Sequence, residues 1–119
     1  MELCDTPAYE LSLLLRKRQI SAVEILDSCL RRIAQVDGRP GVLEPGSPTA
    51  EDEQKVHAFI TLAPERARAQ AEEVDRKLSV GEDPGPLAGI PFTVKDIFAV
   101  QGTPTTAASK ILANFTAPY

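Results

Sequence analysis

Apolar positions recur at helical spacing in three stretches of the chain. In the first, Leu11, Leu14 and Leu15 share one face, and the spacing predicts a short helix over Pro7–Lys17. Thr6 is placed to cap it, and Pro7 suits a first helical position. In the second, Ala22, Leu26, Cys29, Leu30 and Ile33 predict a helix over Ala22–Val36. Ser21 followed by Glu24 has the capping-box spacing: the serine oxygen takes a backbone N–H and the glutamate reaches back. Only Gln19 and Ile20 separate the two helices, so a helical hairpin over about 7–36 is expected. In the third, Ala67, Ala71, Val74 and Leu78 mark the buried stripe of a helix over about Glu65–Leu78, opened by Pro64 and ended by Gly81. Its other face pairs Arg68 with Glu72, Glu72 with Arg76 and Glu73 with Lys77 at four-residue spacing. Such pairs contribute about 0.2–0.5 kcal/mol each and describe a solvated face.

Elsewhere the periodicity breaks. Asp37–Glu53 holds three prolines and three glycines and reads as a surface loop. Val56–Thr61 (VHAFIT) reads as a short strand or extended segment. Asp83–Pro91 is rich in proline and glycine and leads into Phe92–Ile97 (FTVKDI). The β-branched and aromatic residues there predict a strand over about 91–97. Gln101–Thr106 is a turn-rich loop, and AASKIL after it suits a short helix. Helices, an extended segment, another helix and a strand suit an α/β architecture. One strand and one uncertain strand are too few for a sheet. The apolar ending ILANFTAPY lacks a polar tail, so the chain is expected to be one part of a single domain that continues past Tyr119.

Composition agrees with a globular domain and narrows its partners. The chain is 43% hydrophobic and 25% charged, which is ordinary for a packed protein. A net charge of −4 gives no bulk attraction to nucleic-acid backbones. The two cysteines are too few for a disulfide framework. Cys29 reads as a small core residue on the second helix. Membrane-span and signal-peptide patterns are absent from the sequence, and the expected location is the cytoplasm. His57, the single histidine, has no Ser–His–Asp partner set and reads as structural.

The candidate chemistry is Lys95. Along a strand Thr93, Lys95 and Ile97 would share one face, with Phe92, Val94 and Asp96 on the other. Lys95 and Asp96 would then point apart. In a strand buried on both faces, desolvation would disfavour the ammonium. Bringing a lysine from about 10.4 to near 7 costs about 4 kcal/mol and yields a general base. The alternative is a solvated lysine at the exposed end of an edge strand. The residues alone favour that simpler reading.

A wider pattern changes the balance. The run GPLAGIPFTVKDIFAVQGTPTTAASKIL resembles the catalytic-lysine segment of the amidase-signature family. It agrees at Gly85, Pro86, Leu87, Gly89, Ile90, Pro91, Lys95, Asp96, Gly102, Thr105, Thr106 and Ser109, twelve positions in register. The stretches ISAVEILDSCLRRIAQVD, VHAFITLAPERARAQAEEVDRKL and ASKILANFTAPY are most similar to the A subunits of tRNA-dependent amidotransferases. The insert at Gly38–Glu53 is the main departure from that likeness.

The resemblance implies the N-terminal part of an amidase-signature fold, with helices packed around a mixed central sheet. It implies a Ser–cis-Ser–Lys triad in which Lys95 is the base and both serines lie beyond Tyr119. Ser109 and the serines at positions 12, 21, 28, 47 and 79 match neither serine position, so this chain alone would be inactive. It implies ammonia release from glutamine, to convert Glu-tRNA(Gln) to Gln-tRNA(Gln) or its aspartyl counterpart. The B and C subunits of such an amidotransferase would be partners, with tRNA held mainly by the former. ATP and magnesium would serve the activation step of that tRNA-holding partner, with no cofactor or metal in this chain. Two alternatives stand beside it: a stand-alone amidase of the same family, and a short helical interaction protein.

Overall fold

The computed structural model describes residues 2–38 and 49–119. Three helices carry the core: α1 (Ala8–Arg16), α2 (Ala22–Val36) and α3 (Pro64–Ser79). Short 3-10 turns lie at Leu3–Asp5, Asp52–Gln54 and Lys110–Leu112. Among the described residues no helix is long and apolar enough to cross a membrane.

The start of α2 is fixed from two sides. Ser21 Oγ accepts from the Glu24 N–H at 3.1 Å, and the Ser21 N–H donates to Glu24 Oε2 at 2.8 Å, completing the capping box. The Ser21 N–H first, and then the Ser21 hydroxyl, which donates to the same carboxylate oxygen at 2.9 Å, hold the Glu24 carboxyl below its usual range. From α3, Asp75 accepts the Ala22 N–H at 2.7 Å and the Val23 N–H at 3.2 Å. Orphan donors of one helix are thus satisfied by a carboxylate of another, which also complements the helix dipole. α1 begins without a side-chain cap. Thr6, expected in that role, instead donates its hydroxyl to the Glu2 carbonyl, and Pro7 occupies the capping position.

Leu11 and Leu15 of α1, Ala22, Ile25 and Leu26 of α2, and Ala71 of α3 form one buried cluster. Ile25 is fully enclosed. The hairpin expected between the first two helices gives way to a different pairing. α2 packs chiefly on α3 and on the Leu3–Asp5 turn, with α1 adding its two leucines to the shared core. Cys29 lies half-buried against this core, and burial pushes its thiol pKa up, as suits a packing residue. Of the charge pairs expected on α3, Glu73 with Lys77 forms, and the two that involve Glu72 do not form among the described residues. Glu73 binds Arg76 at 2.7 Å and Lys77 at 3.9 Å, while Arg68 reaches across to Asp27 of α2.

The loop expected at Asp37–Glu53 lies largely outside the described residues, at 39–48. Its two ends converge. Asp37 is buried and accepts the Ala58 N–H at 2.5 Å and the Phe59 N–H at 3.2 Å. His57 holds a positive φ of 53°, and its Nε2 lies 2.5 Å from the Asp52 carbonyl. Both its backbone and its ring are engaged locally, in agreement with a structural histidine.

The mixed sheet is not seen in this chain. Among the described residues neither Val56–Thr61 nor the segment at 91–97 forms a strand, and one isolated antiparallel bridge joins Pro104 to Thr116. A strand requires a neighbour for its N–H and C=O groups. Residues 91–95 have none, so they run without regular structure and then turn, with the Phe98 N–H donating to the Lys95 carbonyl at 3.0 Å.

Candidate functional site

The segment that carries Lys95 is seated by α1 and by a glycine. Arg16 donates to Asp83 and to the Gly85 carbonyl, both at 3.2 Å, and Ser12 donates to the Pro86 carbonyl at 3.2 Å. The Gly85 N–H and then Arg16 hold the Asp83 carboxyl below its usual range. Gly89 then drops onto the core. A Cβ there would lie 3.0 Å from Leu15 Cδ1, 3.1 Å from Ala22 Cβ and 3.3 Å from Val74 Cγ1, and its φ is +81°. Both the left-handed backbone and the close approach call for glycine. Ile90 follows as a half-buried contact with the same core.

Beyond Pro91 the chain leaves the core. Phe92 is 85% exposed, and Val94, Ile97 and Phe98 are exposed as well. These residues line one wall of an open cleft of about 1530 Å³, whose other walls are α2, α3 and residues 58–64. That is larger than the roughly 300–1,000 Å³ of a closed small-molecule pocket. Lys95 lines the same cleft.

Lys95 itself is exposed. The double-sided burial that strand geometry would have supplied is absent in this chain, because the strand does not form. No ion pair or hydrogen bond engages its ammonium among the described residues. Lys95 and Asp96 form no ion pair. Asp96 turns to the loop that follows and accepts from the Thr106 N–H at 2.9 Å, from the Thr106 hydroxyl, and from the Ala108 N–H at 3.4 Å. The Asp96 carbonyl also accepts the Ala107 N–H at 3.0 Å. The Thr106 bonds, hydroxyl first and N–H second, hold the Asp96 carboxyl below its usual range. It is therefore ionised at neutral pH.

The receiving loop is braced in turn. The Gly102 N–H donates to the Ala117 carbonyl at 2.8 Å, the Ala117 N–H to the Thr103 carbonyl at 3.0 Å, and the Thr105 N–H to the Phe115 carbonyl at 3.1 Å. Arg66 of α3 donates to the Gln101 carbonyl at 2.6 Å. Ser109 caps the Lys110–Leu112 turn by accepting the Ile111 N–H at 3.3 Å. Ser12, Ser21 and Ser28 are engaged with Pro86, Glu24 and the Cys4 N–H respectively, and Ser79 with the Arg76 carbonyl. Ser47 lies outside the described residues. The Thr105 hydroxyl is buried and has no partner among the described residues.

Sequence reasoning placed Lys95 in the critical run but assigned no part to Asp96, Thr106 or Gly89. An aspartate and a threonine ten positions apart carry no periodic signal. Only the folded loop brings them together.

The sequence model of the Amidase family matches residues 47–119, which include the whole Lys95 region. The chain is 42% identical over its full length to the A subunit of glutamyl-tRNA(Gln) amidotransferase from Desulforamulus reducens, and 43% identical to that from Geobacter metallireducens. It is 45% identical over 86% of its length to the corresponding protein of Gloeobacter violaceus. It covers 21%, 21% and 18% of those relatives, so it spans about a fifth of their length. No solved structure matches. With a family match over more than half its residues, and with Lys95, Asp96, Thr105, Thr106 and Ser109 inside the matched stretch, the chain belongs to the amidase family.

Proposed function

We propose that the protein carrying this chain is the ammonia-supplying component of a tRNA-dependent amidotransferase, and that Lys95 is the base of a Ser–cis-Ser–Lys triad. The observation that carries the reading is the register of Lys95 within GPLAGIPFTVKDI, inside the stretch matched by the Amidase family. Similarity of the whole of this chain to about a fifth of the A subunits of glutamyl-tRNA(Gln) amidotransferases favours glutamine as the amide.

In this reading both serines come from sequence beyond Tyr119, and the chain alone is inactive. The nucleophilic serine attacks the carboxamide carbon of glutamine. Its proton passes through the bridging serine toward Lys95 and returns to the leaving nitrogen, which departs as ammonia when the C–N bond breaks. Water then hydrolyses the acyl-enzyme to glutamate. The ammonia is used on a misacylated tRNA, which the B partner mainly holds with the small C partner alongside. ATP and magnesium would serve activation of the tRNA-bound carboxylate in the B partner, and no role in holding them is proposed for this chain. Two observations support the role: Lys95 lines the open cleft, and among the described residues no carboxylate pairs with it.

The competing reading is a stand-alone amidase of the same family. A coupled assay on the full-length gene product separates them. Ammonia release from glutamine that rises with the B partner and misacylated tRNA is the expected result. Partner-independent hydrolysis of assorted amides would establish the alternative.

A further inference from the structure

We infer that Asp96 and Thr106 are positioning residues for Lys95, a clamp that fixes where the lysine's backbone stands relative to the loop at 103–109. The inference rests on the reading of Lys95 as the triad base.

The Lys95 segment has no ladder to hold it. Its local restraint is the turn closed by the Phe98 N–H on the Lys95 carbonyl at 3.0 Å. Asp96 sits inside that turn and faces away from Lys95, toward the 106–108 backbone. Both its carboxylate and its carbonyl are used, so the contact constrains direction as well as distance. Charge-assisted bonds of this kind are about twice as strong as neutral ones.

The loop is bent to meet it. Ala107 and Ala108 have φ values of 49° and 57°, left-handed in two consecutive non-glycine residues. Each costs on the order of 1 kcal/mol and persists only where the surroundings enforce it. The Ala108 N–H that this bend presents reaches Asp96 at 3.4 Å and the Thr106 hydroxyl at 3.2 Å. The loop's own anchor is the bridge between Pro104 and Thr116. A chain of contacts therefore runs from residues 115–117, through Thr106, to Asp96 and the Lys95 turn.

The clamp has a second consequence for the chemistry. A base of this kind must lose its proton readily, and an adjacent carboxylate that paired with it would oppose that. Thr106 and Ala108 engage the Asp96 carboxylate instead.

The test uses the full-length gene product with its partners. Thr106→Val removes the hydroxyl at nearly constant shape, Thr106→Ser restores it, and Asp96→Asn places an amide donor against the Ala108 N–H. Glutamine hydrolysis is followed across pH, with thermal unfolding in parallel and Lys95→Ala as the reference. In Thr106→Val and Asp96→Asn, kcat should fall about tenfold or more, while KM for glutamine stays within about twofold. In Thr106→Val, which frees the Asp96 carboxylate to pair with Lys95, the acidic limb of the pH profile should move to higher pH by about half a unit, and in Asp96→Asn, which has no carboxylate, it should not move upward. Thr106→Ser should recover kcat to within about threefold of the parent.

An unchanged kcat and pH limb in Thr106→Val, beside an inactive Lys95→Ala, overturns this inference alone. So does a loss that follows only the folded fraction, with an unmoved limb and no recovery by serine. Parental activity in Lys95→Ala overturns the base assignment and this inference with it. If Thr106→Val does not fold, Asp96→Asn decides by kcat, by KM and by whether the loss exceeds the unfolded fraction.

Discussion

Two halves of this chain are held in different ways. Residues 8–79 rest on three helices that share one buried cluster, centred on Ile25. Residues 85–119 have no strand and only one short 3-10 turn. Glycine contact, half-buried Ile90 and directed hydrogen bonds hold that second half, and most of its other large apolar side chains stand exposed. Burial is forgiving of detail, because many side chains of the right size fill a core. A loop built on single bonds depends on particular residues. The motif positions Gly89, Lys95, Asp96 and Thr106 all fall in the second half.

The contrast can be broken most strongly in the core. Ile25→Ala removes the central, fully buried side chain and should cost about 3 kcal/mol in the full-length protein, read from a urea titration. A loss under about 1 kcal/mol would show that the cluster does not carry the helical half. Next comes Gly89→Ala, which meets Leu15, Ala22 and Val74 while its φ is +81°. It should destabilise by about 1–3 kcal/mol. Gly85→Ala serves as its control: the φ there is +105° but nothing lies within 4 Å of the added Cβ. Equal costs at the two sites would mean that Gly89 matters only for its backbone.

The smallest effect is a pH dependence confined to the second half. The folded pKa of Asp96 lies below its unfolded value. Its contribution is therefore complete above the unfolded value, about 3.9, and is lost as pH falls through the folded one. Protection factors at Ala107 and Ala108, taken against the intrinsic exchange rate at each pH, should fall on acidification below about pH 4, before those of the α2 amides do. Simultaneous loss of protection in both halves would erase the distinction.

The same contrast explains what the sequence disclosed. Helices α1 to α3 were legible because leucines and alanines recur at helical spacing and because Ser21 and Glu24 mark a start. Their pairing was not. Asp75, which caps α2 from α3, lies inside its own helix and gives no local sign of its partner. The strand at 91–97 followed from β-branched and aromatic residues, but propensity does not supply a neighbouring strand. Lys95 was visible through its motif register, whereas its surroundings depended on folding: exposed, without an ion-pair partner among the described residues, and beside an aspartate held by Thr106.

The base assignment is tested most directly by Lys95→Ala in the full-length gene product, assayed for acyl-enzyme formation and ammonia release from glutamine, with circular dichroism to verify folding. The account predicts a folded protein in which both signals fall to background. Near-parental ammonia release from that variant would contradict it.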